Sequence, residues 1–227
     1  MHPVVKSLQG GLIVSCQAPD YSPVYGPRFM AAFAQCAQMG GAVGIRANGG
    51  RDIKAIRQVV RLPIIGINKL RSDAYPVYIT PTPASARSVV QAGANLVAID
   101  ATHRPRKGGM SPETLIRTIQ DELGVPVMAD IDTLEEGIAA AQAGADLVAT
   151  TMAGYTDRRQ KTDGVDLELL RDLVAAVDVP VICEGRVSTP ADVTAAFEVG
   201  AFAVVVGTAI TNPLVMTQAF VAAAKGK

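Results

Sequence analysis

Short apolar runs alternate with longer polar-faced segments along this chain. Runs of Val, Ile, Leu and Ala occupy 11–17, 41–47, 63–69, 95–100, 126–131, 146–151, 180–185 and 202–208. They are continuous rather than alternating, as strands covered on both faces of a parallel sheet are. The segments between them carry helix-start signals. In "TLEEGIAAAQAGA", Thr133 stands at the cap position and Glu135 and Glu136 fall in the first turn, where carboxylates suit the helix dipole. In "STPADVTAAFEVG", Thr189 is the cap, Pro190 the first helical residue, and Asp192 follows.

Two phrases recur in turn. One places a helix-ending glycine before a strand: "QMGGAVGIRA" from Gln38, "QAGANLVAID" from Gln91, "QAGADLVATT" from Gln142 and "EVGAFAVVVGT" from Glu198. Glycine enters the left-handed conformation there without a Cβ penalty. The other uses proline to end a helix and open a strand: "RLPIIGINK" from Arg61, "GVPVMADID" from Gly124 and "DVPVICEGR" from Asp178. Eight β–α units predict an α/β fold, a (β/α)8 TIM barrel forming a single domain over 1–227, with a short segment 1–10 before the first strand. A doubly wound sheet is the alternative, because strand signals do not prove closure.

In such barrels chemistry collects at the C-terminal strand ends. In chain order those ends deliver Ser15, Cys16 and Gln17; Arg46 and Asn48; Asn68 and Lys69; Asp100; Asp130 and Asp132; Thr150 and Thr151; Glu184 and Arg186; Gly207 and Thr208. The rim also holds Arg104, Arg106 and Lys107, so a chain of zero formal net charge acquires a basic mouth suited to an anionic metabolite. Phosphate is the leading anion. "EGR" and "GTAIT" end adjacent strands, and Gly185 and Gly207 let the backbone approach an oxyanion. Lys69 leaves a dry strand beside other cations, which would lower its pKa and equip it as a base. Glu184 stands four strands away and could approach from the opposite wall. The plainer reading of Glu184 is an ion pair with Arg186 or Lys69, and that of Lys69 a fixed charge.

Composition narrows the classes further. Zero net charge argues against broad nucleic-acid binding. Cys16, Cys36 and Cys183 form no CxxC and read as buried, reduced, intracellular thiols. The N-terminus lacks the apolar core of a signal peptide, and no apolar run reaches bilayer length, so a cytoplasmic location without membrane partners is expected. His2 and His103 are the only histidines, which leaves metal chemistry and a Ser–His–Asp triad poorly supported. Asp130 and Asp132 could reach Mg²⁺, but Asp132 is expected to cap a helix with Thr133.

At these residues the chain resembles the N-acetylmannosamine-6-phosphate 2-epimerases. The phrases are "GLIVSCQA", "GAVGIRANG", "PIIGINK", "VAIDATHRPR", "VMADIDT", "ATTMAGYT", "CEGRVSTP" and "VVVGTAITNP", in order from Gly11 to Pro213. The resemblance implies interconversion of N-acetylmannosamine 6-phosphate and N-acetylglucosamine 6-phosphate in amino sugar and sialic acid catabolism, by a homodimer without metal or organic cofactor. It implies Lys69 as the proton-transferring residue and Glu184 as its acid/base partner. Gln17, Arg46 and Asp130 would surround the sugar, and Tyr155 would help cover it. Phosphate would lie on the loops carrying Gly185, Arg186, Gly207 and Thr208. One departure stands out: many members carry Arg after "AIT", where this chain has Asn212. His103 is assigned no role. Whether one base or two handle the proton stays open. A Schiff-base aldolase using Lys69, a Mg²⁺-dependent transferase similar to thiamine-phosphate synthase, and a noncatalytic phosphosugar-binding barrel are the alternatives.

Overall fold

Eight parallel strands close into a barrel in sequence order: β1 (Leu12–Cys16), β2 (Gly44–Asn48), β3 (Ile64–Ile67), β4 (Leu96–Asp100), β5 (Val127–Asp130), β6 (Leu147–Ala149), β7 (Val181–Glu184) and β8 (Ala203–Val206). β8 pairs with β1 through Ile13 opposite Val205, which removes the open edges of a doubly wound sheet. The computed structural model describes residues 1–226.

The helices are α1 (Pro3–Lys6), α2 (Pro27–Met39), α3 (Gly50–Val59), α4 (Pro83–Gln91), α5 (Pro112–Leu123), α6 (Leu134–Gln142), α7 (Leu167–Ala176), α8 (Pro190–Val199), α9 (Thr208–Thr211) and α10 (Pro213–Ala224). Their starts follow from the side chains. Thr133 accepts from the Glu136 N–H, and Thr189 forms a reciprocal capping box with Asp192. Each such cap is worth ~1 kcal/mol. The glycine phrase behaves as its chemistry requires: Gly93, Gly144 and Gly200 all have positive φ just beyond a helix. In the first repeat the strand starts late. Residues 41–43 form a turn in which the Ala42 N–H returns to the Ala37 carbonyl, and β2 begins at Gly44.

Two apolar cores result. Alternate strand residues such as Val14, Ile45, Val97, Ala129, Val148 and Cys183 face the helices. The others, including Ile13, Ile65, Leu96, Met128, Leu147, Ile182 and Val205, fill the barrel. Val5 and Leu8 join that inner cluster, so the segment preceding β1 contributes to the barrel interior. Gly66 lets α4 approach β3, since a Cβ there would stand 3.0 Å from that of Val89.

Cys16 and Cys183 are buried, and burial pushes both thiols up to about 12. Cys36 is exposed, a correction to the expectation that all three are buried. It lies on the outward side of α2, where no core awaits it. Among the described residues no helix is long and apolar enough to cross a membrane.

Candidate active site

The two-residue period that fills the barrel also builds the site above it. On β2, Arg46 points inward between the outward Ile45 and Ala47. On β5 the inward Met128 is followed by Asp130, and on β7 the inward Ile182 by Glu184. On β1 the inward Ile13 leads to Ser15 and Gln17; beyond β3, Ile65 and Ile67 lead to Lys69. These side chains cap the apolar filling with charge.

A cavity of about 670 Å³ opens over this layer. Its wall includes Gln17, Arg46, Lys69, Tyr155, Glu184, Gly185, Arg186, Gly207 and Thr208, nine of the residues singled out in the sequence. Asp130 is fully buried and does not line it. It lies behind Arg46, which grips it through Nη1 at 3.0 Å and Nη2 at 2.6 Å. Arg46 Nη1 also lies 2.9 Å from Glu184 Oε2. Glu184 therefore pairs with Arg46, not with the Arg186 or Lys69 of the plainer reading.

Electrostatics follow from this crowding. Burial opposes the charge on Arg46, but the carboxylates of Asp130 and then Glu184 outweigh it and hold its pKa above the ordinary value. One guanidinium cannot neutralise two carboxylates. Burial, opposed by Arg46 and reinforced by Asp130, raises Glu184 to about 7. Burial and then the nearby Arg46 cation lower Lys69 to about 8. Two groups of opposite type thus titrate within about one pH unit of each other.

Lys69 is held by its backbone. Its N–H donates to Asn48 Oδ1 at 2.9 Å, and the residue bridges antiparallel to Ile79. Behind it, the Asn68 N–H donates to Thr80 Oγ1 and the Thr80 N–H to the Asn68 carbonyl. Thr80 is buried at φ 45°, a strained conformation for a β-branched residue.

At the other end of the cavity, Gly185 and Arg186 follow each other at φ 116° and 56°. The backbone N–H groups of Gly185, Arg186, Gly207 and Thr208 donate to no acceptor among the described residues. Both turns line one cavity, so these unpaired donors lie beside a single space, and free backbone N–H groups are the kind of donor that suits an oxyanion. The Arg186 guanidinium is tied elsewhere: Nε donates to the Gly164 carbonyl, Nη1 to that of Ala153, and Nη2 to Thr162 Oγ1. It braces the loop after β6. Tyr155, on that loop, is 52% exposed at the mouth, with the Arg186 guanidinium 5.5 Å from its ring centre. Asn212 lines the same end and caps α10 through Oδ1 on the Val215 N–H.

Three rim expectations are corrected. Arg104 and Arg106 do not line the cavity: Arg104 pairs with Asp100 at 2.7 Å, and Arg106 donates to the Asp100 and Thr102 carbonyls. Lys107 is likewise outside the lining. Asp132 does not share the helix cap with Thr133; its carboxylate receives the Gly154 N–H and the Thr156 hydroxyl and anchors the β6 loop. The strand expected to end in Thr150 and Thr151 closes in a 3-10 turn, Thr150–Met152.

Ser15, Tyr78 and Ser188 also line the cavity and had no assigned role. Ser15 was legible from inward parity on β1. Tyr78 was not, because its place depends on the chain returning antiparallel past Lys69. Among the described residues two buried side-chain polar atoms lack a partner, Gln17 Oε1 and Arg46 Nε. Both belong to cavity residues, one an acceptor and one a donor. Among the described residues no three His, Cys, Asp or Glu converge to hold a metal ion.

Comparison with known proteins follows the same lines. Residues 30–226 match the family described as "NanE: Putative N-acetylmannosamine-6-phosphate epimerase". A "Putative N-acetylmannosamine-6-phosphate 2-epimerase" of Caldanaerobacter subterraneus subsp. tengcongensis is 47% identical over 96% of this chain and 92% of its own. That of Thermosynechococcus vestitus is 48% identical over 98% and 96%. The solved N-acetylmannosamine-6-phosphate 2-epimerase of Clostridium perfringens superposes with a TM-score of 0.93 at 43% identity, covering 97% of this chain and 96% of that one. A thiamine phosphate pyrophosphorylase of Pyrococcus furiosus shares the fold alone, at 18% identity and a TM-score of 0.61. The chain belongs to the N-acetylmannosamine-6-phosphate epimerase family.

Proposed function

We propose that this chain interconverts N-acetylmannosamine 6-phosphate and N-acetylglucosamine 6-phosphate by removing and returning the proton at C2. The observation that carries the reading is the presence of Lys69 and Glu184 on one cavity, from strand ends four apart in the closed barrel. Family membership supports the substrate and the reaction class.

In the open-chain sugar, C2 adjoins the aldehyde. Neutral Lys69 takes the C2 proton, and the bonding pair moves through C1 onto the carbonyl oxygen. Arg46, whose Nε is unpartnered among the described residues, would stabilise that developing charge. Protonated Glu184 then delivers its proton to the opposite face of C2 as the carbonyl re-forms. Lys69 ends protonated and Glu184 ionised, so the pair's proton count is unchanged. That state is the competent one for the reverse reaction.

The site's charge balance suits such a pair. With one proton shared between Lys69 and Glu184, the group of Arg46, Asp130, Lys69 and Glu184 is neutral overall. Phosphate would lie on the N–H groups of Gly185, Arg186, Gly207 and Thr208. Those four donors lessen the need for the arginine that Asn212 replaces. Gln17 would meet a sugar hydroxyl or amide, Asp130 would hold Arg46 in place, and Tyr155 would close over the ligand. The chemistry asks for no cofactor or metal.

We also place the protein in the cytoplasm, in keeping with three unpaired cysteines, and read it as a homodimer. α10 has no buried residue and leaves Phe220 73% exposed along with Leu214, Val215 and Val221. Such an apolar face suits burial against a second copy.

Incubation with N-acetylmannosamine 6-phosphate, read by NMR, tests the function. Appearance of N-acetylglucosamine 6-phosphate is expected. Unchanged substrate, or cleavage to smaller carbonyl fragments, would overturn it.

A further inference from the structure

Thr151 was noted in the sequence only as a strand-end residue, yet it joins the two carboxylates of the site. Its Oγ1 lies 2.7 Å from Asp130 Oδ1 and 3.1 Å from Glu184 Oε2. A hydroxyl has one hydrogen to donate and lone pairs to accept with. Two carboxylate oxygens therefore face a single donor. The shorter contact is a normal distance for donation to an anion, and the longer is stretched for one.

We propose that Thr151 is a positioning residue whose hydroxyl donates to Asp130 and offers its lone pair to Glu184, so that Glu184 keeps a proton to give. In that arrangement every group is matched. Glu184 O–H donates to Thr151 Oγ1, Thr151 O–H donates to Asp130 Oδ1, and both Asp130 oxygens also receive Arg46. When Glu184 is ionised, its Oε2 faces an oxygen whose hydrogen is already engaged, and the cations Arg46 and Lys69 compensate it. The hydroxyl thereby favours the protonated acid required for delivery to C2. The role rests on the epimerase reading; the hydrogen-bond polarity does not.

The other groups around Glu184 are held in common by every variant compared: Arg46 from β2, Lys69 after β3 and Asp130 from β5, with Tyr78, Asp163 and Arg186 on the same cavity wall. Thr151→Val leaves those residues in place and removes one hydroxyl, which contacts Asp130 as well as Glu184. Thr150, its neighbour, ties its own hydroxyl to the Glu184 backbone, so the strand end stays fixed when Thr151 changes.

The test is a carbon-13 NMR titration of the Glu184 carboxyl in the full chain, assigned by its loss in Glu184→Gln. Thr151→Val keeps the side chain's shape and removes the hydroxyl. It is expected to lower the Glu184 midpoint by about one pH unit, the size of one hydrogen bond to an ionisable group. Thr151→Ser should restore the wild-type midpoint. The acid limb of kcat/KM should move with it, with kcat down about tenfold and KM within about twofold. A midpoint that stays put in Thr151→Val overturns the inference. So does one that rises, which would mean the hydroxyl donates to Glu184. Should the valine variant not fold, Thr151→Ala is titrated with the same expectation. The titration needs no turnover, so an inactive protein with a lowered midpoint sinks the epimerase reading alone. An active one with an unmoved midpoint sinks only the role of Thr151.

Discussion

Arg46 on β2 and Glu184 on β7 meet at 2.9 Å above the barrel's apolar filling, while the same guanidinium holds Asp130 with both terminal nitrogens. Arg46 is 1% exposed, so its removal leaves the buried carboxylate of Asp130 and the largely buried one of Glu184 without their guanidinium. Arg46→Met should cost about 3–5 kcal/mol of stability near neutral pH. Arg46→Lys should recover only part of it, because an ammonium cannot reproduce the fork. Denaturant midpoints of the three proteins check this, and a methionine variant as stable as wild type would contradict it.

The competent state of the Lys69–Glu184 pair holds one proton. Below about 7 both groups are protonated, and above about 8 neither is. The pH profile of kcat/KM should therefore be a narrow bell with its maximum between about 7 and 8. Glu184→Gln should flatten the alkaline limb as well as lower the rate, while the acid limb remains because Lys69 must still be neutral. A broad plateau from pH 5 to 9 in the wild type would rule out this pair.

Stability should carry the same signature. Glu184 is raised from its ordinary 4.5 to about 7, so the folded chain binds more protons than the unfolded chain in that window. Its contribution is fully present below about 4.5 and is lost as pH rises through about 7. Lys69 is lowered from 10.5 to about 8, so the unfolded chain holds more protons there and stability recovers as pH rises through that window. The pair destabilises the fold most at the pH where it is most active. The Tm of wild type minus that of Glu184→Gln should fall by several degrees between pH 4.5 and 7. A difference that is flat with pH would contradict the raised value.

Lys69→Ala should reduce kcat by about 10³-fold or more, the range general bases supply, while the circular dichroism spectrum stays that of the wild type. Borohydride added with substrate should leave the wild-type enzyme unmodified. A reduced adduct on Lys69 would point to Schiff-base chemistry instead.

The barrel was legible because continuous apolar runs, glycine-ended helices and proline-opened strands each carry a local cause. The inward positions were legible too, since parity along a strand sends Arg46 and Glu184 to the same side as Ile182 and Ile65. What the strand ends did not reveal was how their charges would pair. Arg104 and Arg106 look like mouth residues in the sequence, yet Asp100 and its neighbouring carbonyls draw them aside. Arg186 is similarly drawn to carbonyls of the β6 loop, and Asp132 to that loop's Gly154 and Thr156. Such partnerships depend on loop paths, which have no period. The face of α10 was ambiguous for a different reason: an Ala-rich exterior such as "AFVAAAKGK" suits packing within one chain as well as against another subunit, and only packing shows which helices lack cover.

The most direct test of the central claim, that an amine and a carboxyl act on C2 from opposite walls, is deuterium content at C2 during early turnover of N-acetylmannosamine 6-phosphate in heavy water. NMR should find the product deuterated at C2 while recovered substrate still carries protium, since each face has its own proton carrier. Product that retains protium, or substrate that acquires deuterium as fast as product forms, would contradict it.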